Sequence, residues 1–160
     1  DRYLDRIENL RLMRLDISIS SDFIVGFPGE TQEDFEATLN LVDKVGFDQS
    51  FSFIYSPRPN TKASEMTDDV DHETKLKRLQ QLQSKITESA KKISEEMVGS
   101  TQTVLVEKKS KKDENQLTGR TENNRWVNFD GPGSLIGEFV DIDITEALAN
   151  SLRGRLSSFI

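Results

Sequence analysis

Cysteine is absent from this 160-residue chain, and so are long hydrophobic runs. The first absence excludes disulfides, thiol nucleophiles and cysteine-ligated zinc or iron–sulfur sites within these residues. The second leaves no stretch close to the ~20 apolar residues of a membrane-spanning helix. No segment combines positive charge and an apolar run as a signal peptide does. With 34% hydrophobic and 31% charged residues, we expect a globular chain without membrane contact.

Histidine is nearly absent as well. His72 is the only one, and its neighbours Asp71 and Glu73 are the acidic residues of a predicted helix start. No second metal-ligand type follows at a spacing typical of metal sites. The sequence therefore predicts no metal site, and a solvated His72.

Positive charge is scarce, because 21 basic residues are outnumbered by 28 acidic ones and the net charge is −7. A generally basic nucleic-acid binder is therefore excluded. The deficit is uneven: residues 1–98 contain 13 basic and 19 acidic residues, whereas residues 99–160 contain 8 and 9. The second part has clustered cations, at Lys108, Lys109, Lys111, Lys112, Arg120 and Arg125. A local basic surface is predicted there despite the acidic total.

The first 98 residues alternate between helical and strand patterns. The patterns predict helices over 4–13, 31–45 and about 71–97, and strands over 17–25 and 47–55. A strand, a helix and a strand in succession form a βαβ unit with parallel strands. Two parallel strands make an incomplete sheet, and position 1 is Asp, so we expect a longer parent whose preceding part is missing here.

After Gly99 the pattern changes to short segments of alternating polarity. Five of them, over 101–107, 116–121, 125–129, 137–144 and 152–158, are separated by polar or Gly/Pro loops. Such spacing is typical of a small antiparallel barrel of the OB-like kind. The sequence therefore predicts an α/β domain over 1–98, followed by an all-β domain over 99–160.

The first candidate site is the segment SSDFIVGFPGET, which begins at Ser20. It predicts a strand whose carboxyl end opens into a Gly-Pro-Gly turn, where parallel α/β folds bind ligands. The proposed ligand-binding residues are Ser20 and Asp22 for polar groups, Ile24 and Val25 for a purine ring, and Gly26 for close backbone approach. An ordinary strand with a structural turn and a helix cap explains the same residues.

Two further segments contain candidate residues. Arg58, in SFIYSPRPNTKA, follows the second strand and can hold a carboxylate or phosphate, unless it is only a surface residue of a rigid turn. In GRTENNRWVNF, Arg120, Arg125 and Trp126 offer cations and a stacking surface suited to RNA. A solvated hairpin whose Trp126 and Phe129 fill the barrel is the alternative interpretation.

These segments resemble motifs of one known family. DFIVGFPGET resembles the strand-and-turn motif of radical-SAM methylthiotransferases, and YSPRPNTKA resembles their YSPRPGT-A motif with Asn60 in place of Gly. TENNRWVNF, with Ser151-Leu152-Arg153-Gly154, resembles the TRAM domain of the branch that modifies tRNA. Ile24 and Gly26 match the family's adenine-contacting pattern, whereas Asp22 replaces a Gly and Glu30 lies one residue late.

The resemblance implies a fold, cofactors and partners. The fold would be the C-terminal part of a radical-SAM partial TIM-type barrel, followed by a five-stranded antiparallel TRAM barrel. The parent would be a cytoplasmic transferase that adds a methylthio group to isopentenyl-adenosine beside the anticodon of tRNA. It would use S-adenosylmethionine and two 4Fe-4S clusters, whose cysteines lie outside this chain.

The resemblance also implies which residues of this chain take part. Cofactor contacts would come from Ser20, Asp22, Ile24, Val25, Gly26 and Arg58. Contacts with tRNA would come from Lys108, Lys109, Lys111, Lys112, Arg120, Arg125, Trp126 and Arg153. No catalytic residue and no metal ligand is expected, so the fragment alone should be inactive. A stand-alone RNA-binding or interaction module that shares the fold is the alternative.

Overall fold

The computed structural model describes residues 2–110, 113 and 115–157. The chain divides into two compact units, one ending at Ala90 and the other beginning at Lys91. This division lies within a long helix, earlier in the chain than the 98/99 boundary expected from sequence composition. Among the described residues, no helix is both long and apolar enough to cross a membrane.

The first unit contains helices and a two-stranded parallel sheet. Its elements are α1 (Arg2–Met13), β1 (Asp22–Val25), α2 (Gln32–Val45), β2 (Phe51–Ile54), a short 3-10 helix (Lys62–Glu65) and most of α3 (His72–Glu96). Val25 of β1 lies opposite Ile54 of β2 in the parallel register, which confirms the predicted βαβ order. The core consists mainly of Phe23, Val25, Phe35, Val42, Val45, Phe47, Leu82 and Ile86.

Both strands are shorter than predicted. The β-branched run from Ile17 indicated a strand over 17–25, but β1 begins only at Asp22. Before it, pairing with the segment ahead of β2 is irregular: the Asp48 amide donates to the Ile19 carbonyl at 2.8 Å, but the Ser21 amide donates to the Ser50 hydroxyl at 3.1 Å. Strand propensity does not reveal such contacts between distant segments, so the prediction of a strand over 17–21 was wrong.

Helix α2 begins and ends where the sequence predicted. Thr31 accepts from the Asp34 amide at 3.1 Å, and the Asp34 carboxylate accepts from the Thr31 amide at 3.0 Å, which forms a capping box. At the other end Gly46 has φ of 60°, a left-handed conformation that glycine adopts without strain. The buried residues Phe35, Val42 and Val45 recur at helical spacing and face the core.

Acid should weaken α2 through Asp34. Hydrogen bonds from the Thr31 backbone and side chain hold the pKa of Asp34 below its usual value of 3.8. A carboxyl whose pKa is lower in the folded state than in the unfolded state contributes stability that is fully present above the unfolded-state pKa. This contribution is lost as pH falls through the folded-state pKa. We therefore expect Asp34→Asn to lose stability at pH 7 and to show a shallower decline below pH 3.8, measured by urea unfolding. Asp5→Asn, an exposed charge loss in α1, is the control and should reproduce the wild-type slope.

The second unit is a closed five-stranded barrel. Its strands are β3 (Thr101–Lys109), β4 (Gln116–Thr121), β5 (Trp126–Asp130), β6 (Phe139–Ala147) and β7 (Leu152–Leu156), with a short 3-10 helix (Gly133–Leu135) before β6. They close in the order β3-β4-β5-β7-β6, which confirms five strands and a barrel. Its interior is filled by Val104, Val106, Leu117, Val127, Phe129, Ile142, Ile144 and Leu152.

The barrel is not wholly antiparallel, so that part of the prediction was wrong. β5 and β7 run parallel, with Val127 opposite Leu152 and Asn128 opposite Arg153, while the other neighbours are antiparallel. The reason is arithmetic: directions cannot alternate around a closed ring with an odd number of strands. At least one neighbouring pair must therefore run parallel.

Candidate functional sites

The exposed face of the β1–β2 sheet displays an apolar surface. Successive side chains of a strand point to opposite faces, so Asp22 and Ile24 share one face of β1. The register places Phe51 opposite Asp22 and Phe53 opposite Ile24. Ile24 is 57% exposed and both phenylalanines are also exposed. This sheet face therefore combines three large apolar side chains with one carboxylate, at the position predicted for ligand contact.

Val25 does not belong to that face. Its side chain is fully buried in the core with Phe23 on the other side of β1. The prediction that Val25 contacts a purine through its side chain was therefore wrong. The alternation that exposes Ile24 places the next side chain on the opposite face, which the core covers here.

Gly26 follows β1. The sequence predicted a close approach of a ligand to its backbone, and in the structure the side chain of Lys75 closely approaches it. Gly26 has φ of 70°, and a Cβ there would overlap the side chain of Lys75. The neighbour packed against Gly26 is thus a lysine stem of α3. The backbone amide of Gly26 donates to Oε1 of Glu30 at 2.9 Å.

Ser20 and Arg58 are both exposed and flank the sheet at opposite ends. Ser20 precedes β1, at the amino ends of the strands. Arg58 lies in the loop after β2, where the Tyr55 amide still donates to the Val25 carbonyl at 2.8 Å. Parallel strands end at the same edge, so Arg58 belongs to the Gly26 end. Asn60, which replaces the expected Gly, has φ of 66°, so the predicted turn is retained.

A buried ion pair lies behind the turn after β1. Arg78 Nη1 donates to Oε1 of Glu30 at 2.7 Å and to its carbonyl oxygen at 3.0 Å. Their side chains are 8% and 10% exposed. The same carboxylate oxygen accepts the Gly26 amide, so one carboxylate connects α3 to the turn.

A second cation of α3 reaches the same turn. Nζ of Lys75 lies 2.6 Å from both carboxylate oxygens of Asp68 and 5.6 Å from the centre of the Tyr55 ring. In the adjacent loop, Asp69 Oδ1 accepts the amide of Gly29 at 2.7 Å. Gly26 and Gly29 are thereby held from α3 and from the loop before it.

Sequence reasoning missed these two cations, since it singled out only His72 in the predicted helix over about 71–97. Lys75 and Arg78 are both buried, whereas the apolar Leu76 is 41% exposed. The spacing contained the signal. Positions 75, 78, 82 and 86 recur every three or four residues, so both cations lie on the face of the buried Leu82 and Ile86.

The barrel presents an aromatic–cation cluster, formed by Lys108, Arg120 and Trp126. The Arg120 guanidinium carbon lies 4.0 Å from the centre of the Trp126 ring, and Lys108 Nζ lies 4.7 Å from it. Both distances are within the range of cation–π attraction. Arg120 Nη1 also donates to Oδ1 of Asn124 at 2.7 Å, and its Nε lies 3.1 Å from Glu107 Oε1. Three strands thus bring together predicted residues from two separate segments.

Arg125, predicted to contact RNA, is 3% exposed. Its Nε donates to the Ser94 hydroxyl at 2.7 Å, and its amide donates to the Thr121 hydroxyl at 3.0 Å. The prediction of an exposed cation was therefore wrong. Arg125 follows the turn at Asn124, which has φ of 66°, and its side chain is directed inward there.

The remaining predicted RNA-binding residues have different placements. Lys109 is exposed at the end of β3, and Arg153 is exposed on β7 with an ion pair to Glu146 at 3.2 Å. Lys111 and Lys112 lie outside the described residues. Phe129 is buried in the barrel, as the alternative interpretation predicted, whereas Trp126 is only half-buried.

Metal ligands are not clustered in the part of the chain that the structure describes. No three His, Cys, Asp or Glu side chains there are placed to hold an ion. His72 is exposed at the start of α3, as predicted.

Comparison with known proteins connects both units to one group of enzymes. Residues 95–157, which include all five barrel strands, match the family model described as TRAM domain. The chain is 62% identical, over 96% of its length, to the tRNA-2-methylthio-N(6)-dimethylallyladenosine synthase of Methylococcus capsulatus. The proteins of the same name from Alkalilimnicola ehrlichii and Chromohalobacter salexigens are 58% and 55% identical, over 96% and 99% of the chain.

Along almost its whole length, this chain is similar to one segment of these proteins. It spans about a third of the length of those curated relatives: 34% of the first two and 36% of the third. The similarity runs through the unit with the β1–β2 sheet as well as through the TRAM barrel. Both candidate sites therefore lie in segments that the relatives share.

Proposed function

We propose that this chain forms the cofactor-turn and tRNA-binding portion of a cytoplasmic radical-SAM enzyme. That enzyme adds a methylthio group to isopentenyl-adenosine in tRNA. The barrel over 99–160 would bind tRNA, and residues 1–98 would complete a radical-SAM barrel and one wall of its cofactor site. The observation that carries the proposal is the Lys108–Arg120–Trp126 cluster, on a closed barrel that matches the TRAM model.

The cluster suits an RNA ligand for two physical reasons. Cations near a half-buried aromatic ring attract phosphates, while the accessible part of the ring can stack on an unpaired base. The ion pair with Glu107 holds Arg120 beside Trp126, which reduces the ordering cost of binding. Exposed Lys109 and Arg153 would add to the positive charge. Buried Arg125 would support the hairpin rather than touch RNA.

The residues at the end of β1 fit S-adenosylmethionine. Exposed Ile24 and Phe53 offer an apolar surface for adenine, and exposed Asp22 on the same face can accept hydrogen bonds from ribose or amino groups. Arg58, at the Gly26 end, can pair with the carboxylate of the methionine part. When bound, this cofactor would supply the radical chemistry of the family.

Iron–sulfur clusters do not fit these residues, because the chain has no cysteine. In the proposed enzyme both clusters would be held by other parts of the parent protein. The chain alone is therefore expected not to cleave S-adenosylmethionine. The extent of the similarity supports this role over a stand-alone RNA-binding module, because the relatives match both units.

Binding of tRNA by the longest reading frame that contains this chain tests the proposal. We expect Trp126→Ala to weaken affinity about tenfold, because base stacking contributes about 1–3 kcal/mol. Lys108→Gln should weaken it about threefold and reduce the salt slope by about one unit, as for a single phosphate contact. Filter binding at several salt concentrations gives both values.

The matched control is Arg155→Gln, which removes an exposed cation of β7 outside the cluster. It should keep affinity within about twofold of wild type. Wild-type affinity in folded Trp126→Ala and Lys108→Gln proteins would contradict the proposed RNA surface.

A further inference from the structure

We infer that Glu30 and Arg78 are positioning residues that set the conformation of the Gly26–Gly29 turn and thereby the affinity for S-adenosylmethionine. This inference rests on the proposed cofactor site at the end of β1. It assigns a role to Glu30, whose displaced position in the motif left its function open. It also brings in Arg78, a residue of α3 that lies 48 positions away in sequence.

The Glu30 carboxylate is held by groups of the chain itself, behind the turn. Its Oε1 accepts the Gly26 amide at 2.9 Å and Arg78 Nη1 at 2.7 Å. Its own amide donates to the Phe27 carbonyl at 2.8 Å, which closes the turn. A carboxylate that is 10% exposed and holds these partners is suited to fixing backbone geometry rather than to contacting a ligand.

Arg78 contacts both the side chain and the backbone of Glu30. Its Nη1 donates to both the carboxylate and the carbonyl of Glu30, and the guanidinium carbon lies 5.6 Å from the centre of the Phe35 ring. Packing on Phe35 restricts the plane of the guanidinium. The paired contacts then determine both the orientation of the Glu30 carboxylate and the path of its backbone.

Two other contacts limit the turn. The Lys75 stem occupies the space beside Gly26, and Asp69 holds the Gly29 amide at 2.7 Å. The first of these contacts is steric and the second is a hydrogen bond to the far side of the turn. Glu30, which is paired with Arg78, is the side chain that accepts the Gly26 amide, directly after Ile24 and Val25. A shift there would displace the backbone that borders the exposed Ile24 side chain.

The test uses Arg78→Lys in the reconstituted longest reading frame that contains this chain. We expect the dissociation constant for S-adenosylmethionine, measured by equilibrium dialysis, to rise about tenfold. The KM for the cofactor should rise with it while kcat stays within about twofold, since the loss affects binding alone. Hydrogen exchange of the Gly26 amide, followed by mass spectrometry on the peptide that contains it, should accelerate about tenfold without any cofactor.

The matched control is Lys85→Arg, the reverse exchange at another α3 ion pair, with Asp43. It should change neither the dissociation constant nor exchange at Gly26. Glu30→Asp is the second variant, because it keeps the charge but shortens the reach to the Gly26 amide. If the Arg78→Lys protein does not fold, Glu30→Asp should itself show the rise in dissociation constant and the faster exchange at Gly26.

The outcomes separate this inference from the proposed site. Ile24→Asp should abolish cofactor binding if the sheet face is the site, and an unchanged dissociation constant would refute the site itself. If Ile24→Asp weakens binding while folded Arg78→Lys and Glu30→Asp bind like wild type, only the positioning role is refuted. Failure of both variants to fold would also overturn it, because the pair would then determine folding rather than the turn.

Discussion

Replacement of Arg125 by glutamate is expected to destabilise the TRAM barrel by about 3–5 kcal/mol, the usual cost of an uncompensated buried charge. The side chain is 3% exposed and donates to the Ser94 hydroxyl, which cannot neutralise a carboxylate. The free energy of unfolding of a domain is usually only about 5–15 kcal/mol, so this loss would unfold a substantial part of the population in a barrel of low stability. The tRNA affinity of the variant would then fall through unfolding.

Arg120→Glu is the comparison that makes this result informative. Arg120 is half-buried beside Trp126, and its Nε faces Glu107. We expect a destabilisation of about 1 kcal/mol from reversal of this partly exposed charge, together with a marked loss of tRNA affinity. Urea unfolding followed by tryptophan fluorescence, beside filter binding, measures both effects. Equal stability of the two variants would contradict the buried role of Arg125.

Gly119→Ala should cost the barrel about 3 kcal/mol, at the upper end of typical overpacking penalties. A Cβ at this position of β4 would overlap the carbonyl oxygen of Leu105 and lie 2.5 Å from Cγ1 of the buried Val104. Neither group can move freely, because Leu105 pairs with Arg120 and Val104 with Thr121 in the ladder between β3 and β4. Relief would require the two strands to separate.

Gly133→Ala is the matched control for this prediction. The nearest atom to a Cβ at position 133 is the flexible Lys109 Cε, at the ordinary contact distance of 3.7 Å. Its stability should therefore stay within about 0.5 kcal/mol of wild type, as at most surface positions. Thermal and urea unfolding of both variants measure the difference in their stability. A Gly119→Ala protein as stable as Gly133→Ala would show that β3 and β4 adjust to the methyl group.

Local patterns predicted most elements correctly because each depends on neighbouring residues. The capping box of Thr31 and Asp34 and the left-handed Gly46, which bound the helix predicted over 31–45, are properties of a few consecutive positions. The five barrel strands likewise followed from alternation and loop composition. The resemblance of three motifs to a methylthiotransferase family was also contained in the sequence and agrees with the relatives that match both units.

Contacts between distant segments could not be predicted in this way. Whether Val25 or Ile24 meets a ligand depends on which face of β1 the helices cover, and they cover Val25. Whether Arg125 or Arg120 reaches solvent depends on the path of the chain after the turn at Asn124. Val25 and Ile24 are both apolar residues of one strand, and Arg125 and Arg120 carry the same charge. Only tertiary packing distinguishes the members of each pair.

The sequence by itself determined the resemblance to a known family, the absence of cysteine ligands, the order of the elements and the two segments that contain the candidate sites. These follow from residue identity and short spacing. The tertiary structure alone decided that β5 and β7 are parallel, that Lys108 and Arg120 share Trp126, and that Arg78 of α3 holds Glu30 behind the turn. Each of these involves residues that the fold, and not the local chain, brings within a few ångströms of one another.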